Sequence, residues 1–167
     1  MKALKDKGIT VKYDTDKKKR PGFKFAEYEL HGIPVRIGIG KRDLEKGQIE
    51  LARRDTGEKA LVPVDAAANV IEQLLGEIQT NLFQKAVDYR TAHTSQADDF
   101  DKFKEILEDK GGFISAHWDG TTETEKKIKE LTKATIRCIP LDNEKEEGKC
   151  ILTGQPSKER VLFAKAY

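Results

Sequence analysis

An α/β fold in two parts is the architecture that this sequence of 167 residues predicts. Short runs in which apolar and polar residues alternate indicate strands, and longer runs with apolar residues on one helical stripe indicate helices. Their order predicts an α/β part at residues 1–95 and a smaller α+β part at residues 96–167. The length is sufficient for one ordinary domain or two small ones, with a real buried core.

The first part contains three strand signals and two predicted helices. A helix is expected between the first two strands, with Pro21 at its start and Gly32 near its end, because proline favours the first helical turn. A long helix over about residues 64–92 carries apolar residues on one stripe and connects the two parts. The alternating apolar positions of the strands are Ile9, Val11 and Tyr13; Val35, Ile37 and Ile39; and Ile49 and Leu51.

The second part contains two predicted helices and a small sheet. Apolar spacing over residues 100–107 predicts the first helix, which a glycine pair ends. Thr122 and Glu125 have the spacing of a capping box, so a short helix is expected from there through Leu131. The strands of the sheet are expected at residues 113–118, 134–139 and 160–164.

Composition excludes several classes of protein. No apolar run approaches the roughly 20 residues that a membrane span needs, and the first ten residues lack the apolar core of a signal peptide. Cys138 and Cys150 do not have the short spacing of a disulfide framework, so both are expected to be free thiols. A cytoplasmic protein without a membrane partner is the prediction.

Positive charge is concentrated at the beginning of the chain. Residues 1–60 carry 16 Lys and Arg against 10 Asp and Glu, whereas residues 61–167 carry 15 against 19. The densest basic run is residues 17–20, and Phe23 and Phe25 follow it, so cations lie beside rings that stack on unpaired bases. The alternative is a solvated basic loop with both rings in the core.

No catalytic residue is predicted. Gly38, Gly40 and Lys41 superficially suggest a phosphate loop, but the Walker spacing is absent, which favours a strand leading into a turn. The histidines are scattered without a Cys or Ser nucleophile in a recognisable arrangement, and structural or surface roles are expected for all three: His31, His93 and His117.

Residues 20–59 read RPGFKFAEYELHGIPVRIGIGKRDLEKGQIELARRDTGEK. This series resembles the anticodon-binding domain of prolyl-tRNA synthetases of the archaeal and eukaryote-like type. Three later segments resemble the extra, zinc-binding-like C-terminal domain of that family, and they read HTSQADDFDKFKEIL, GGFISAHWDG and FAKAY. The resemblance implies a class II anticodon-binding domain, a mixed sheet with helices whose first strand is missing here, followed by the small C-terminal domain.

The family attaches proline to its tRNA using ATP, so the resemblance implies an aminoacyl-tRNA synthetase, homodimeric and cytoplasmic, as the parent protein. ATP and Mg²⁺ belong to its catalytic domain, which has no counterpart in this sequence, so the chain alone is expected to be inactive. The implied partners are proline tRNA and the parent catalytic domain. The alternative is a free-standing RNA-binding or protein-interaction module of the same fold.

Five residues match positions that the family uses to read the two guanines ending the proline anticodon. By this resemblance Glu29 and Asp43 accept hydrogen bonds from the guanine edges, and Arg36 and Arg42 donate to O6, N7 or phosphate. Lys59 acts mainly on the RNA backbone. Taken without the resemblance, the same charges are surface ion pairs.

Zinc-bearing relatives carry the pattern C-x4-C, about 25 residues, then C-x2-C. Laid on this sequence, it falls on Asp119, Thr124, Cys150 and Thr153, of which Cys150 alone supplies a thiolate. Zinc is therefore not expected, and hydrogen bonding and packing must stabilise this region instead. The resemblance also implies that the terminal Tyr167 supports the parent active site. The alternative, which does not exclude that role, is that the last residues close the small sheet.

Overall fold

The chain divides into two units in a computed structural model that describes residues 1–143 and 145–166. The first unit is Met1–Ala86 and the second begins at Val87, each with its own hydrophobic core. The division lies inside a long helix, whereas the boundary predicted from the sequence follows residue 95. Within the described residues, no helix combines the length and the apolar character that crossing a membrane requires.

The first unit is a three-stranded antiparallel sheet with helices around it. The strand order is β1–β2–β3, so each strand is a hydrogen-bonded neighbour of the next one in the chain. Pro21 is the first residue of α2, as predicted. The elements are α1 (Lys2–Asp6), α2 (Pro21–Leu30), β1 (Val35–Gly38), α3 (Lys41–Glu45), β2 (Gln48–Arg53), β3 (Lys59–Pro63) and α4 (Ala67–Ala92).

The core of the first unit lies between α4 and one face of this sheet. Ala67 and Ile71 of α4 are buried together with Ile49, Leu51 and Val62 of the sheet. Ile49 and Val62 are directly paired across β2 and β3. Successive side chains of a strand point to opposite faces, so the residues that alternate with these buried ones lie on the other face of the sheet.

The predicted strand at residues 9–13 is wrong. Ile9 and Val11 do pack against the core, so their alternation reports burial, but their backbone pairs with no strand among the described residues. The segment then turns, because the Asp14 and Asp16 side chains accept the backbone N–H groups of Asp16 and Lys18, each at 2.8 Å.

The structure also contains a helix that the sequence did not predict. The strand β1 leads into α3, which begins directly after Gly40, whereas a turn was expected there. A helix of five residues makes little more than one turn, so it shows no apolar periodicity.

The second unit contains a four-stranded sheet of order β4–β5–β9–β6 and a separate short pair, β7 with β8. β4 and β5 are parallel, and β9 is antiparallel to both of its neighbours. The elements are β4 (Thr94–Gln96), α5 (Phe100–Asp109), β5 (Phe113–His117), α6 (Thr122–Thr132), β6 (Ala134–Cys138), β7 (Gly148–Lys149), β8 (Pro156–Ser157) and β9 (Arg160–Lys165).

Aromatic packing holds the core of the second unit. Phe103 of α5 and Phe163 of β9 are fully buried, with ring centres 5.3 Å apart and ring planes at 84°, the edge-to-face arrangement that aromatic pairs favour. Ile128 of α6 is buried in the same cluster. The N-cap of α6 is Thr121, whose side chain accepts the N–H of Thr124, so the capping box predicted from Thr122 is one residue too late.

A buried histidine and a buried serine meet in this unit although they lie 40 residues apart in sequence. Nδ1 of His117 is 3.0 Å from Oγ of Ser157, and that hydroxyl donates to the carbonyl of Glu159 at 2.9 Å. The serine proton is therefore directed away from the imidazole, which then donates from Nδ1. Since the side chains are only 4–5% exposed, the pair is structural rather than a nucleophile with its base.

Asp55 joins the β2–β3 turn to α4. Its carboxylate, only 1% exposed, accepts from Nε and Nη2 of Arg53 at 2.9 and 2.8 Å and from Nδ2 of Asn81 at 2.6 Å. The Arg53 hydrogen bonds, together with that of Asn81, outweigh the effect of burial and hold the pKa of Asp55 well below its usual value.

Replacement of Asp55 by Asn should make the chain less stable in a pH-dependent way. A lowered native pKa stabilises the fold above the unfolded pKa, near 3.9, and that stabilisation is lost as the pH falls through the native pKa. We expect Asp55→Asn to raise the unfolding equilibrium constant of the first unit about tenfold at pH 7 and by a smaller factor at pH 3, which lies between the unfolded and the native pKa. Urea denaturation followed by circular dichroism at both pH values measures this. A difference that does not depend on pH would contradict it.

Gly148 should not tolerate a larger side chain. A Cβ built on Gly148 overlaps the ring of His117, whereas a Cβ on Gly76, in α4, meets no atom within 4 Å. We expect Gly148→Ala to destabilise the second unit by about 1–3 kcal/mol and the matched control Gly76→Ala to stabilise the first by about 0.5–1 kcal/mol. Urea denaturation of each variant tests both signs. Unchanged stability of Gly148→Ala would mean that the ring moves aside without cost.

Candidate nucleic-acid interface

The face of the first sheet opposite α4 carries charged residues from all three strands. Arg36 of β1 and Lys59 of β3 are both paired with Ala52 of β2, and Glu50 is two residues earlier on β2. Positions two apart on a strand share a face, so these side chains lie on one surface, which we call the open face.

Arg36 is held in a fixed orientation on the open face. Its guanidinium carbon is 3.5 Å from the ring centre of Phe25 in α2, and Nη1 is 3.8 Å from Oε1 of Glu50. Nη1 is buried and has no hydrogen-bond partner in the described part of the chain. A buried donor without an acceptor costs free energy.

Glu50 links Arg36 with Lys59. Besides its approach to Arg36, its Oε1 lies 3.3 Å from Nζ of Lys59. The structure therefore brings these two predicted residues together through a third residue that sequence reasoning missed. The strand register identifies Glu50. It lies two residues before Ala52, which is paired with both Arg36 and Lys59, so its side chain is on the same face as theirs.

Glu29 and Arg36 line the same small pocket. Glu29 is exposed near the end of α2, its carboxylate makes no hydrogen bond or ion pair within the described residues, and its carbonyl accepts from Nε of Arg54 at 2.8 Å. The residues that line this pocket include Phe25, Tyr28, Glu29, Arg36 and Arg54.

Arg42 and Asp43 lie beside this group rather than in it. Both are in α3, which follows β1 and packs against β2. Among the described residues, no hydrogen bond or ion pair joins either side chain to Glu29, Arg36 or Lys59. Asp43 faces the start of its own helix, because a Cβ on Gly40 would come within 2.7 Å of its Oδ2.

The basic run before α2 is partly neutralised. Nζ of Lys19 lies 2.9 Å from both carboxylate oxygens of Glu27 and 5.0 Å from the ring centre of Phe23. Phe23 is 59% exposed, and Phe25 lies under Arg36 outside the buried core. The alternative that placed both rings in the core is therefore wrong, and Phe23 remains accessible to a stacking partner.

Three of the four positions aligned with zinc ligands meet at one carboxylate. Oδ2 of Asp119 accepts from Oγ1 of Thr124 at 2.7 Å and of Thr153 at 2.8 Å. Oδ1 accepts from Oγ1 and N of Thr121 at 2.9 and 3.1 Å. The fourth position, Cys150, is buried at the start of the turn that carries Thr153.

This set of donors does not fit a zinc ion. Zinc in proteins is bound by thiolate, imidazole or carboxylate, whereas neutral hydroxyls are poor ligands and here donate hydrogen bonds to Asp119. Burial opposes ionisation of Asp119, but the hydrogen bonds from Thr124, Thr153 and Thr121 lower its pKa to about 2. Within residues 1–143 and 145–166, no three His, Cys, Asp or Glu side chains are grouped as metal ligands would be.

The end of the chain bears on one further prediction. Val161 and Phe163 of β9 are buried and Leu162 is half-buried, so this strand forms part of the core as the alternative for the C-terminal segment required. The role predicted for Tyr167 concerns a residue outside those that the structure describes.

Two family models match the chain, one for each unit. Residues 1–74 match the family described as "Anticodon binding domain". Residues 100–167 match the family described as "Prolyl-tRNA synthetase, C-terminal". The open face, the pocket and α3 all lie in the first match, and the Asp119 network lies in the second.

Curated relatives are similar over nearly the entire chain. A proline–tRNA ligase of Cytophaga hutchinsonii is 61% identical over 165 residues, which cover 99% of this chain and 34% of that protein. Those of Christiangramia forsetii and Porphyromonas gingivalis are 56% and 58% identical over 167 residues, each covering 100% of this chain and 34% of that protein. The chain spans about a third of the length of these relatives.

Proposed function

Because the chain belongs to the prolyl-tRNA synthetase family, we propose that its first unit reads the anticodon of proline tRNA. It would do so within a cytoplasmic, homodimeric ligase whose separate catalytic domain attaches proline to the tRNA using ATP and Mg²⁺. The observation that carries this proposal is that Arg36 and Glu29 line one pocket, and that the Glu29 carboxylate makes no hydrogen bond or ion pair within the described residues.

The chemistry of this pocket matches an unpaired guanine. Guanine presents two donors, N1–H and N2–H, on one edge and two acceptors, O6 and N7, on another. Glu29 is an acceptor of the kind that the first edge needs, and Arg36 is a donor of the kind that the second needs. Adenine reverses part of this pattern, because its exocyclic amine is a donor where guanine has O6.

Phe25 and Glu50 give this recognition its precision. The Phe25 ring fixes the plane of the Arg36 guanidinium by cation–π contact, so little side-chain freedom is lost when a base binds. Glu50 holds Lys59 at 3.3 Å and limits repulsion between Lys59 and Arg36. Asp43 accepts from a guanine edge and Arg42 donates to a guanine or a phosphate from α3, at the side of the open face.

Changes at Glu29 and Arg36 should reduce discrimination between bases. We expect Glu29→Ala and Arg36→Lys to weaken binding of an anticodon stem–loop ending in two guanines about tenfold or more. The first removes a charged acceptor, and the second keeps the charge but loses the planar guanidinium that donates in a fixed geometry. A stem–loop with both guanines replaced by adenine should lose less than about threefold. Fluorescence anisotropy with the 167-residue chain measures both, and Glu108→Ala, an exposed acidic change in α5, is the control. Equal losses on the two RNAs would show that the residues do not read bases.

Lys59 should contribute affinity without base specificity. Its exposed ammonium reaches the RNA backbone, so Lys59→Ala should weaken both stem–loops equally and reduce the slope of log K against log salt by about one. A salt titration from about 50 to 200 mM measures the slope. Lys158→Ala, an exposed lysine of the second unit, should leave the slope unchanged. A Lys59 effect confined to the guanine stem–loop would contradict this role.

A further inference from the structure

The Asp119 carboxylate connects segments that are far apart in the sequence. Asp119 follows β5, Thr124 lies in the first turn of α6, and Thr153 is 34 residues beyond Asp119. The carboxylate accepts four hydrogen bonds between its two oxygens, from Thr121, Thr124 and Thr153. A charged acceptor with several donors is among the stronger hydrogen-bonded groups in proteins.

The turn that carries Thr153 keeps a defined shape. The N–H of Cys150 donates to the carbonyl of Gln155 at 2.8 Å, and the carbonyl of Cys150 accepts from the N–H of Gly154 at 2.9 Å. Gly154 has φ of +69°, a conformation that glycine adopts without strain. Backbone hydrogen bonds therefore close the turn, and the Thr153 side chain is left to donate to Asp119.

The oxygen distances at this centre are those of hydrogen bonds. Two ligands that are each about 2.0–2.3 Å from a tetrahedral zinc are about 3.3–3.8 Å apart. The hydroxyl oxygens of Thr124 and Thr153 are 2.7 and 2.8 Å from Oδ2 of Asp119, which is direct hydrogen-bond contact. Each hydroxyl therefore donates its hydrogen bond to the carboxylate.

We propose that the Asp119 carboxylate itself fastens the loop after β5 and the first turn of α6 to the Cys150–Gly154 turn, and that this centre works without metal. The hydroxyls of Thr121, Thr124 and Thr153 take the place of ligands, and the ionised carboxylate takes the place of the ion. Cys150 contributes burial rather than a metal bond.

Trp118 makes this centre directly observable. It is the only tryptophan of the sequence, it precedes Asp119, and its Nε1 donates to the carbonyl of Thr121 at 3.0 Å. Its fluorescence therefore reports unfolding of the second unit at the network itself, whatever happens in the first unit.

The first test concerns the metal. The 167-residue chain is produced in medium supplemented with zinc, its zinc content is measured, and thermal unfolding is followed by tryptophan fluorescence with and without a chelator. We expect far less than one zinc per chain and the same unfolding midpoint in both samples. One zinc per chain, or a lower midpoint with chelator, overturns the proposal.

The second test concerns the hydrogen bonds. We expect Thr153→Val to raise the unfolding equilibrium constant about tenfold, because it removes a hydrogen bond to a charged group at nearly constant shape. Thr153→Ser, which keeps a hydroxyl, should be close to wild type. Thr122→Val is the matched control, since Thr122 is exposed at the start of α6 and makes no hydrogen bond with Asp119 within the described residues.

A double-mutant cycle shows whether Asp119 is the partner that matters. With Asp119→Asn in the background, Thr153→Val should change the unfolding constant by less than about threefold. Coupling of this kind supports the proposal. A Thr153→Val effect equal to that of Thr122→Val, or one that persists undiminished in the Asp119→Asn background, overturns it.

Discussion

The register of the three-stranded antiparallel sheet is the constraint on which the first unit depends. Ile49 and Leu51 are buried against α4, and the alternation of the strand then directs Glu50 to the opposite face. A slip of one residue would exchange the two faces, burying a carboxylate and exposing the core. The same hydrophobic burial that stabilises the unit thus sets the positions of Arg36 and Lys59 on the open face.

The open face also shows how a charged side chain is held in place by its neighbours. A buried guanidinium N–H without an acceptor would ordinarily be unfavourable, but the Phe25 ring covers one side of Arg36 and Glu50 lies on another. These contacts keep the charge in place without satisfying every donor. The orientation of the Arg36 guanidinium is therefore fixed by packing.

Sequence patterns predicted the elements that can be recognised from residues close together in the chain. They predicted the helix that begins at Pro21 and the strands β1 and β9, whose apolar residues face a core. They failed at residues 9–13, because alternation reports burial and not the presence of a neighbouring strand. They also missed Glu50 and the His117–Ser157 pair, because these depend on register and on contacts across 40 residues. Resemblance supplied Glu29 and Arg36; only the structure showed that they share a pocket.

The Asp119 network and a zinc site are two ways to hold distant segments together, and their stability depends on different conditions. A metal centre makes folding depend on the supply of an ion and on deprotonated ligands. A carboxylate that accepts hydrogen bonds from hydroxyls depends only on groups that the chain carries, and its four hydrogen bonds distribute the stabilisation over three threonines. Each hydrogen bond is weaker than a metal–thiolate bond. The turn that carries Thr153 must therefore hold its shape without help from these hydrogen bonds. The backbone hydrogen bonds around Cys150 and the positive φ of Gly154 meet that requirement.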